Sequence, residues 1–264
     1  MMRIAGVGLF IFSLGLSFCW IKSTKKTSGQ LSSQTFMNAG MDNVSPIVIE
    51  LFSSEGCSSC PPADKLMEDL VKTAESKSAP VYLLTFHVNY WDYLGWKDTL
   101  ASPEFTQRQY EYRSMFRLSS VYTPQAVING KQETVGSNRQ KITELISSFS
   151  AAQSQATITC MAKQEGTHSE KVNYEVTGNF KDCYINYALV LKKVTNKILR
   201  GENSGKNLTH VNVVRSFEQT ILPSSGKGIK TMQNIPSNPE DYRLIVLVQK
   251  KNTMEIIAAC SMKL

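Results

Sequence analysis

The stretch PIVIELFSSEGCSSCPPADKL, residues 46–66, joins an apolar run to two cysteines that are separated by two serines. Residues 47–52 are almost all apolar, which is typical of a buried β-strand. The two prolines after Cys60 are tolerated in the first turn of a helix, because the N–H groups of that turn have no partner within the helix. The sequence therefore predicts a strand, a turn that carries the cysteines, and a helix over about residues 58–74.

The position of the cysteines at the start of this helix favours chemistry at sulfur. Unpaired backbone N–H groups and the helix dipole stabilise a thiolate there, so Cys57 is the predicted nucleophile. Cys60 follows one turn later on the same side, where it could form a disulfide with Cys57 and displace a bound substrate sulfur. Two other interpretations stay open, a metal-binding pair and a purely structural disulfide.

Helix and strand patterns alternate as far as about residue 152 and predict a single α/β unit over residues 46–152. The further elements are strands at residues 80–88, 125–130 and 132–136, and helices at about residues 103–117 and from residue 137. Ser102 before Pro103 is a good helix start, and Asn129 with Gly130 is typical of a hairpin turn. Strands separated by helices predict a mixed central sheet with helices on both faces.

Residues 153–264 have a different pattern. Seven short runs, often alternating between apolar and polar residues, are separated by Gly, Asn, Ser and Pro. They occupy residues 156–163, 171–178, 183–194, 209–222, 228–235, 242–250 and 254–262. This part of the chain is therefore predicted to be an all-β antiparallel, sandwich-like domain.

A second motif, VYTPQAVING at residues 121–130, gives the cysteine pair a context. A Cys-x-x-Cys pair at a strand-to-helix junction, followed by Thr-Pro at the start of a later strand, resembles the thioredoxin superfamily. The resemblance implies that Pro124 follows a cis peptide bond and packs against the cysteines, and that the backbone of Thr123 binds the substrate chain. It also suggests Glu50 as a proton acceptor for Cys60; the alternative is a carboxylate paired with a nearby Lys or Arg.

Four stretches carry a closer resemblance. They are VIELFSSEGCSSCPPADKL (48–66), FHVNYWDYLGWKDTLASPEFTQRQ (86–109), VYTPQAVING (121–130) and RGENSGKNLTHVNVVR (200–215). Together they resemble an uncharacterised family of secreted bacterial proteins, domain of unknown function 1223, over roughly residues 46–264. The resemblance implies a thioredoxin-like N-terminal domain and a cysteine pair, but no established substrate.

The loop HVNYWDYLGWKD, residues 87–98, supplies the other candidate site residues. It lies at the end of a strand that precedes a helix, where ligands of such sheets collect. The candidates for auxiliary roles near the thiol are His87, Trp91, Asp92 and Trp96. Structural packing of the loop is the competing interpretation. His87 is also the third ligand of the metal alternative, in which Cys57, Cys60 and His87 bind copper or zinc.

The hairpin-like stretch at residues 200–215 is open to two interpretations. Its polar side chains could form a site, or it could brace the two domains as a long hairpin. The side chains concerned are Glu202, Asn203, His210 and Arg215.

Residues 1–21 are predicted to be a signal peptide or an anchor. Arg3 precedes a nearly unbroken apolar run from Ile4 to Ile21. A cleaved export signal, an uncleaved membrane anchor and a lipid anchor on Cys19 are the alternatives, and each places the protein outside the cytoplasm. The polar residues 22–45 read as a flexible linker.

Three further cysteines belong to the β-rich part, namely Cys160, Cys183 and Cys260. One structural disulfide among them is expected in an oxidising compartment, but the sequence does not fix the pairing.

The predicted function is that of an exported thiol–disulfide oxidoreductase, periplasmic or extracellular, whose Cys57–Cys60 pair acts on protein or small-molecule thiols. The expected partner is a disulfide or dithiol protein, and no cofactor is predicted. The net charge of +7 comes without a nucleic-acid-binding motif, so nucleic acid is not an expected partner, and membrane contact is expected only through an N-terminal anchor. The alternative is a thioredoxin-like binding module with a structural or metal-binding cysteine pair and no redox turnover.

Overall fold

The computed structural model describes residue 2, residues 45–77 and residues 79–264. The predicted signal peptide or anchor and the predicted linker therefore lie outside the described residues, except for Met2 and Ser45. Among the helices of the described residues, none has the length and apolar character needed to cross a membrane.

Three α-helices and eleven strands make up the described chain. The helices are α1 (Pro61–Lys77), α2 (Pro103–Phe116) and α3 (Arg139–Ser150). The strands of the first half are β1 (Ile47–Ser53), β2 (Val81–His87), β3 (Gln125–Ile128) and β4 (Gln132–Val135). Those of the second half are β5 (Ala156–Gly166), β6 (Ser169–Gly178), β7 (Cys183–Lys197), β8 (Asn207–Ile221), β9 (Lys227–Met232), β10 (Tyr242–Lys250) and β11 (Ile256–Lys263).

Eight of these strands form one mixed sheet in the order β11-β10-β7-β8-β2-β1-β3-β4. The two halves of the chain meet at β2 and β8, which run parallel with Thr85 opposite Val213. The Thr85 hydroxyl also donates to the Val211 carbonyl, at 2.8 Å. The remaining strands form a separate antiparallel sheet in the order β5-β6-β9.

Strand β1 is buried on both faces and determines which helix meets which side chain. Because side chains alternate along a strand, Val48 and Phe52 pack with α2, whereas Ile49 and Leu51 pack with α1 and α3. The prediction of a mixed sheet with helices on both faces is therefore confirmed.

The seven predicted segments of the second half are all strands, but they do not form a sandwich by themselves. Four of them extend the α/β sheet, and the other three pack over its β7, β10 and β11 portion through a shared apolar core. Tyr187 and Val246 of the large sheet and Val172 of the small sheet lie in this core. Cys160 of β5 and Cys260 of β11 form a disulfide across it, which supplies the pairing that the sequence left open.

Candidate functional site

The cysteine loop connects β1 to α1, as the sequence predicts, although the helix itself begins at Pro61. Tight turns precede it, with Cys57 N donating to Ser54 O and Cys60 N donating to Cys57 O, each at 3.2 Å. The Cys60 carbonyl then accepts the first helical bonds. Both thiols are free and buried, with 1% of Cys57 and 0% of Cys60 exposed.

The Thr123–Pro124 segment lies against the cysteine loop, and its peptide bond is cis, as predicted. The Thr123 carbonyl is 3.8 Å from Cys57 Sγ and accepts a bond from Ser59 Oγ at 3.3 Å. Ser59 Oγ also lies 3.2 Å from Cys57 Sγ. Trp91 donates from Nε1 to the Thr123 hydroxyl at 2.7 Å. These contacts place Thr123 and Trp91 at the cysteine loop, and Pro124 follows Thr123 directly.

The two thiols have opposite electrostatic environments. The hydrogen bond from Cys60 lowers the pKa of Cys57 to about 6, against the effect of burial, and the Ser59 hydroxyl adds to the shift. Burial raises the pKa of Cys60 well above its ordinary range, and the neighbouring charges of Cys57 and Asp64 act in the same direction. Cys57 is therefore the thiol that ionises near neutral pH, and Cys60 holds its proton.

The connection between β7 and β8 closes over the cysteine loop from the second half of the chain. Asn203 is fully buried and donates from Nδ2 to the Glu55 and Cys57 carbonyls, each at 2.9 Å. The carboxylate of Glu202 accepts a bond from Ser58 N at 3.0 Å. This connection both braces the two halves and contributes to the site, so the two interpretations of residues 200–215 are compatible.

A buried ionic cluster lies beneath the loop. His210 of β8 stands between two carboxylates, with Nε2 at 3.6 Å from Glu55 Oε1 and Nδ1 at 3.5 Å from Asp64 Oδ2. Burial alone would lower the pKa of His210, but the charges of Asp64 and Glu55 raise it to about 10. Trp96 and Asn196 donate to the Glu55 carboxylate at 2.8 and 2.7 Å. These partners compensate the negative charge of Glu55. Glu55 therefore opposes the ionisation of Cys57 less than an unpaired carboxylate would.

His87 lies in the same interior region, with its ring edge against His210. The ring centroids are 4.5 Å apart and nearly perpendicular. His87 Nδ1 is 2.7 Å from Asp98 Oδ2, and Asp98 also accepts a bond from Glu55 N at 2.9 Å. Asp92 accepts a bond from Asp98 N at 3.2 Å, and burial raises its pKa. The aromatic loop therefore supports the ionic cluster as well as the cysteines.

The contacts of Glu50 differ from those expected for its predicted role as a proton acceptor for Cys60. Its carboxylate pairs with Arg108 Nε at 2.6 Å and accepts a short hydrogen bond from Tyr112. These partners lie on α2, because Glu50 shares the strand face of Val48 and Phe52. The carboxylate beside Cys60 is Asp64, on the opposite face. The ion-paired alternative considered for Glu50 is therefore the one that the contacts favour.

The metal alternative also lacks its third ligand. The described part of the chain contains no group of three or more His, Cys, Asp or Glu side chains arranged to hold a metal ion. Cys57, Cys60 and His87, the three residues proposed as ligands, therefore do not form such a group. The geometry does not support a copper or zinc site formed by these three residues.

Comparison with protein families gives one match, and it spans most of the chain. Residues 48–249 match a family described as a protein of unknown function, DUF1223. The chain belongs to this family. The match includes β1, the cysteine loop, the Thr123–Pro124 segment and the connection between β7 and β8. No curated protein sequence matches the chain.

Among the solved structures that match, two are similar to different degrees. A protein from Agrobacterium tumefaciens, a target of the Northeast Structural Genomics Consortium, has 26% identity and a TM-score of 0.65, with 82% of this chain and 93% of that chain covered. A domain of the outer membrane lipoprotein Omp28 from Porphyromonas gingivalis has 15% identity and a TM-score of 0.26, with 42% and 88% covered. The second likeness is too weak to support an argument.

Several residues of the site were not singled out from the sequence. Ser59 and Asp64 are near the cysteines in the chain, and the spacing of Asp64, four residues after Cys60 in a predicted helix, could have indicated it. Asn203 and His210 were named among the polar candidates of residues 200–215, but their place at the cysteines was not predicted, because they come from the other half of the chain. Only the strand pairing of β2 with β8 brings them to the cysteines, and the local sequence carries no signal for that pairing.

Proposed function

We propose that the protein is an exported thiol–disulfide oxidoreductase with a thioredoxin-like N-terminal domain, in which Cys57 is the nucleophile and Cys60 the resolving thiol. The observation that carries the proposal is the geometry of the pair: both thiols are free at the start of α1, and Cys57 Sγ lies 3.8 Å from the Thr123 carbonyl. The electrostatics of the pair support it. The pKa of Cys57 is lowered to about 6 while that of Cys60 is raised. Such a pair provides a thiolate for attack and a second thiol for resolution.

The thioredoxin-like assignment is supported by how the elements meet. The cysteines follow a central strand and open a helix, and Thr123 and Pro124 of a second segment lie against them. In the proposed reaction the Cys57 thiolate attacks a substrate disulfide, and one substrate sulfur leaves as a thiolate. Cys60 then attacks Cys57, which releases the second substrate thiolate and leaves a Cys57–Cys60 disulfide.

Access to Cys57 imposes a condition on this function. Only 1% of Cys57 is exposed, although Ser58 and Ser59 beside it are exposed. A disulfide can therefore reach the sulfur only after the Ser58–Ser59 turn and its contacts with Thr123 and Glu202 are displaced. A protein partner or a small disulfide that replaces these contacts would open the site, since the turn itself is exposed.

Export is supported by the chemistry of the second half. The Cys160–Cys260 disulfide is a feature of proteins in oxidising compartments. The apolar run near the N-terminus is the sequence feature of an export signal or anchor. We place the protein in the periplasm or outside the cell, with an unidentified disulfide or dithiol protein as partner.

The function can be tested with Ellman's reagent, an aromatic disulfide whose released thiolate is coloured. The native protein is expected to release two thiolates, one from attack by Cys57 and one from resolution by Cys60. Cys60→Ser should release one and retain the other as a mixed disulfide that mass spectrometry detects. Cys57→Ser should release neither at a comparable rate, and Cys183→Ser is the control with unchanged behaviour. A native protein that does not react with the reagent would contradict the proposal.

A further inference from the structure

Polar side chains without hydrogen-bond partners converge in the interior beside Cys60. Among the described residues, the buried atoms concerned are Asp64 Oδ2, His87 Nε2, and Nδ1 and Nε2 of His210. Buried polar atoms are normally hydrogen-bonded, so such a group calls for an explanation. The ion-pair distances of 3.5 and 3.6 Å around His210 exceed hydrogen-bond length only slightly. Small side-chain rotations would therefore connect Asp64, His210 and Glu55.

One end of this cluster adjoins the resolving thiol. Asp64 follows Cys60 by one helical turn, with Asp64 N donating to Cys60 O at 3.1 Å. Its other carboxylate oxygen accepts from Ser53 Oγ at 3.1 Å, which fixes the side chain on the α1 face of β1. The negative charge of Asp64 contributes to the raised pKa of Cys60. A proton acceptor therefore lies one helical turn from the thiol that must lose a proton, and its charge acts on that thiol.

The other end of the cluster approaches the surface. Glu55 is itself fully buried, but its two carboxylate oxygens accept bonds from Trp96 and Asn196. Both donors are partly exposed. Asp64, His210 and Glu55 thus form a continuous row of proton-carrying groups between Cys60 and a solvent-accessible edge.

We propose that Asp64, His210 and Glu55 carry the proton of the Cys60 thiol out of the interior when Cys60 attacks the mixed disulfide on Cys57. The inference rests on the proposed thiol–disulfide exchange and names the groups that complete its second step. It gives the second half of the chain a part in the chemistry, because His210 belongs to β8.

The step balances without a further reactant. The Cys60 S–H bond breaks, its proton passes to Asp64, and the sulfur electron pair forms the bond to Cys57 Sγ. The bond between Cys57 and the substrate sulfur breaks, and the substrate leaves as a thiolate. Neutralisation of Asp64 removes one of the charges that hold the His210 proton, so His210 gives its Nε2 proton to Glu55 and is left as a neutral ring with its remaining proton on Nδ1, facing Asp64. One proton therefore moves outward for the one that Asp64 takes from Cys60. Glu55 then releases a proton to water near Trp96 and Asn196.

The two release phases of Ellman's reagent separate this inference from the proposed function. The first phase depends on reagent concentration and reports attack by Cys57; the second is independent of concentration and reports attack by Cys60. We would measure both by stopped flow in the full chain carrying Cys19→Ser and Cys183→Ser, which leaves Cys57 and Cys60 as the cysteines outside the Cys160–Cys260 disulfide. Asp64→Asn and His210→Gln are the test variants. There are two matched controls. Asp69→Asn changes a surface carboxylate of the same helix, and His168→Gln changes a histidine in the turn between β5 and β6.

The expected result is a second phase slowed by about 10²-fold in both test variants, with the first phase changed far less, since positioned acid–base groups contribute factors of this order. Both phases should be unchanged in the controls. A second phase that is unaffected, or a loss shared equally by the two phases, would overturn the relay while leaving the exchange function intact. Absence of the first phase in the native protein would instead overturn the exchange function, and the relay with it.

A measurement on the native side chains guards against variants that fail to fold. In deuterated water the second phase should slow and the first should not, because only the second includes transfer of the Cys60 proton. Equal effects on the two phases would contradict the relay.

Discussion

Two buried ionic clusters lie on opposite faces of β1, and their geometries differ. On the α2 face, Glu50 is paired with Arg108 at 2.6 Å and hydrogen-bonded by Tyr112. On the α1 face, His210 stands 3.5 and 3.6 Å from its two carboxylates and keeps ring nitrogens without hydrogen bonds among the described residues. The first cluster is closed and packs against α2. The second is loosely joined, borders Cys60 and reaches towards the surface.

The two clusters differ in the way that a structural ion pair differs from one that can transfer a proton. A buried pair with all its bonds made resists rearrangement, because any displacement leaves a charge uncompensated. A cluster with spare donors and acceptors can transfer a proton with little movement. Residue type alone does not distinguish the two, since each contains a glutamate and a basic partner.

The largest effect is expected from opening the closed cluster. Arg108→Met should lower the free energy of unfolding by about 3–5 kcal/mol, because Glu50 remains buried without its counter-charge. Urea unfolding followed by circular dichroism measures the change. Arg139→Met is the matched control: Arg139 pairs with Asp69 on the surface, where an ion pair contributes less than about 1 kcal/mol. Similar losses in the two variants would remove the distinction between buried and exposed pairs.

The free energy of unfolding, measured over a series of pH values, should report the charge of His210 in the second cluster. The pKa of His210 is raised from 6.5 to about 10 in the folded protein, so its stabilisation is complete below about pH 6.5 and is lost as the pH rises through 10. Between pH 7 and 10 the native protein should lose about 2–4 kcal/mol more than His210→Gln does. The lowered pKa values of Glu55 and Asp98 have the opposite sign, since their stabilisation is lost on acidification.

The lowered pKa of Cys57 also affects stability in this range, but it does so in the native protein and in His210→Gln alike. The difference between the two proteins therefore isolates the histidine. Parallel alkaline losses in both would show that His210 is not charged in the folded state.

A smaller effect is expected where the second half of the chain holds the cysteine loop. Asn203→Ala removes the donor that serves the Glu55 and Cys57 carbonyls, and leaving these buried acceptors unpaired costs about 1–3 kcal/mol. Urea unfolding gives the value, and Asn207→Ala, an exposed position at the start of β8, should change little. If Asn203→Ala were as mild as Asn207→Ala, the loop would not depend on this contact.

The smallest effect concerns the nucleophile itself. Ser59→Ala removes a hydroxyl 3.2 Å from Cys57 Sγ and should raise the pKa of Cys57 by about one unit, the size of one hydrogen bond to a charged group. Ultraviolet titration of the thiolate in a Cys60→Ser background, with and without the Ser59→Ala substitution, measures the shift. Ser58→Ala is the control, because Ser58 contacts Glu202 through its backbone N–H. Equal shifts would assign the effect to the turn and not to the hydroxyl.

Local pattern was sufficient for most elements of the fold. The alternation and capping signals located the strands and helices of the first half, including the Ser102 cap, whose hydroxyl accepts from Glu104 N at 3.3 Å. The seven strands of the second half were also predicted. Their assembly was not, because a strand that joins the edge of an α/β sheet has the same alternation as one in a separate sandwich.

The site was predictable to the extent that it is local. Cys57, Cys60 and the Thr123–Pro124 segment were placed together from motifs. For Glu50 the sequence left two roles open, and its contact with Arg108 favours the ion pair. Ser53 shares the α1 face and bonds to Asp64, so counting alternate positions along β1 would have separated the two roles. His210 was among the polar candidates of residues 200–215, but its place between Asp64 and Glu55 could not be predicted, since that place depends on long-range pairing.

The parallel contact between β2 and β8 constrains how this family can evolve. A chain cut near residue 152 would leave β2 as an unpaired sheet edge, and such edges promote aggregation. The cysteine loop would also lose its contacts with Asn203 and with the cluster around His210. Recombination is therefore not expected to transfer the half that carries the cysteines as an independent domain. Domain shuffling would have to move both halves together, or find another strand to seal the exposed flank.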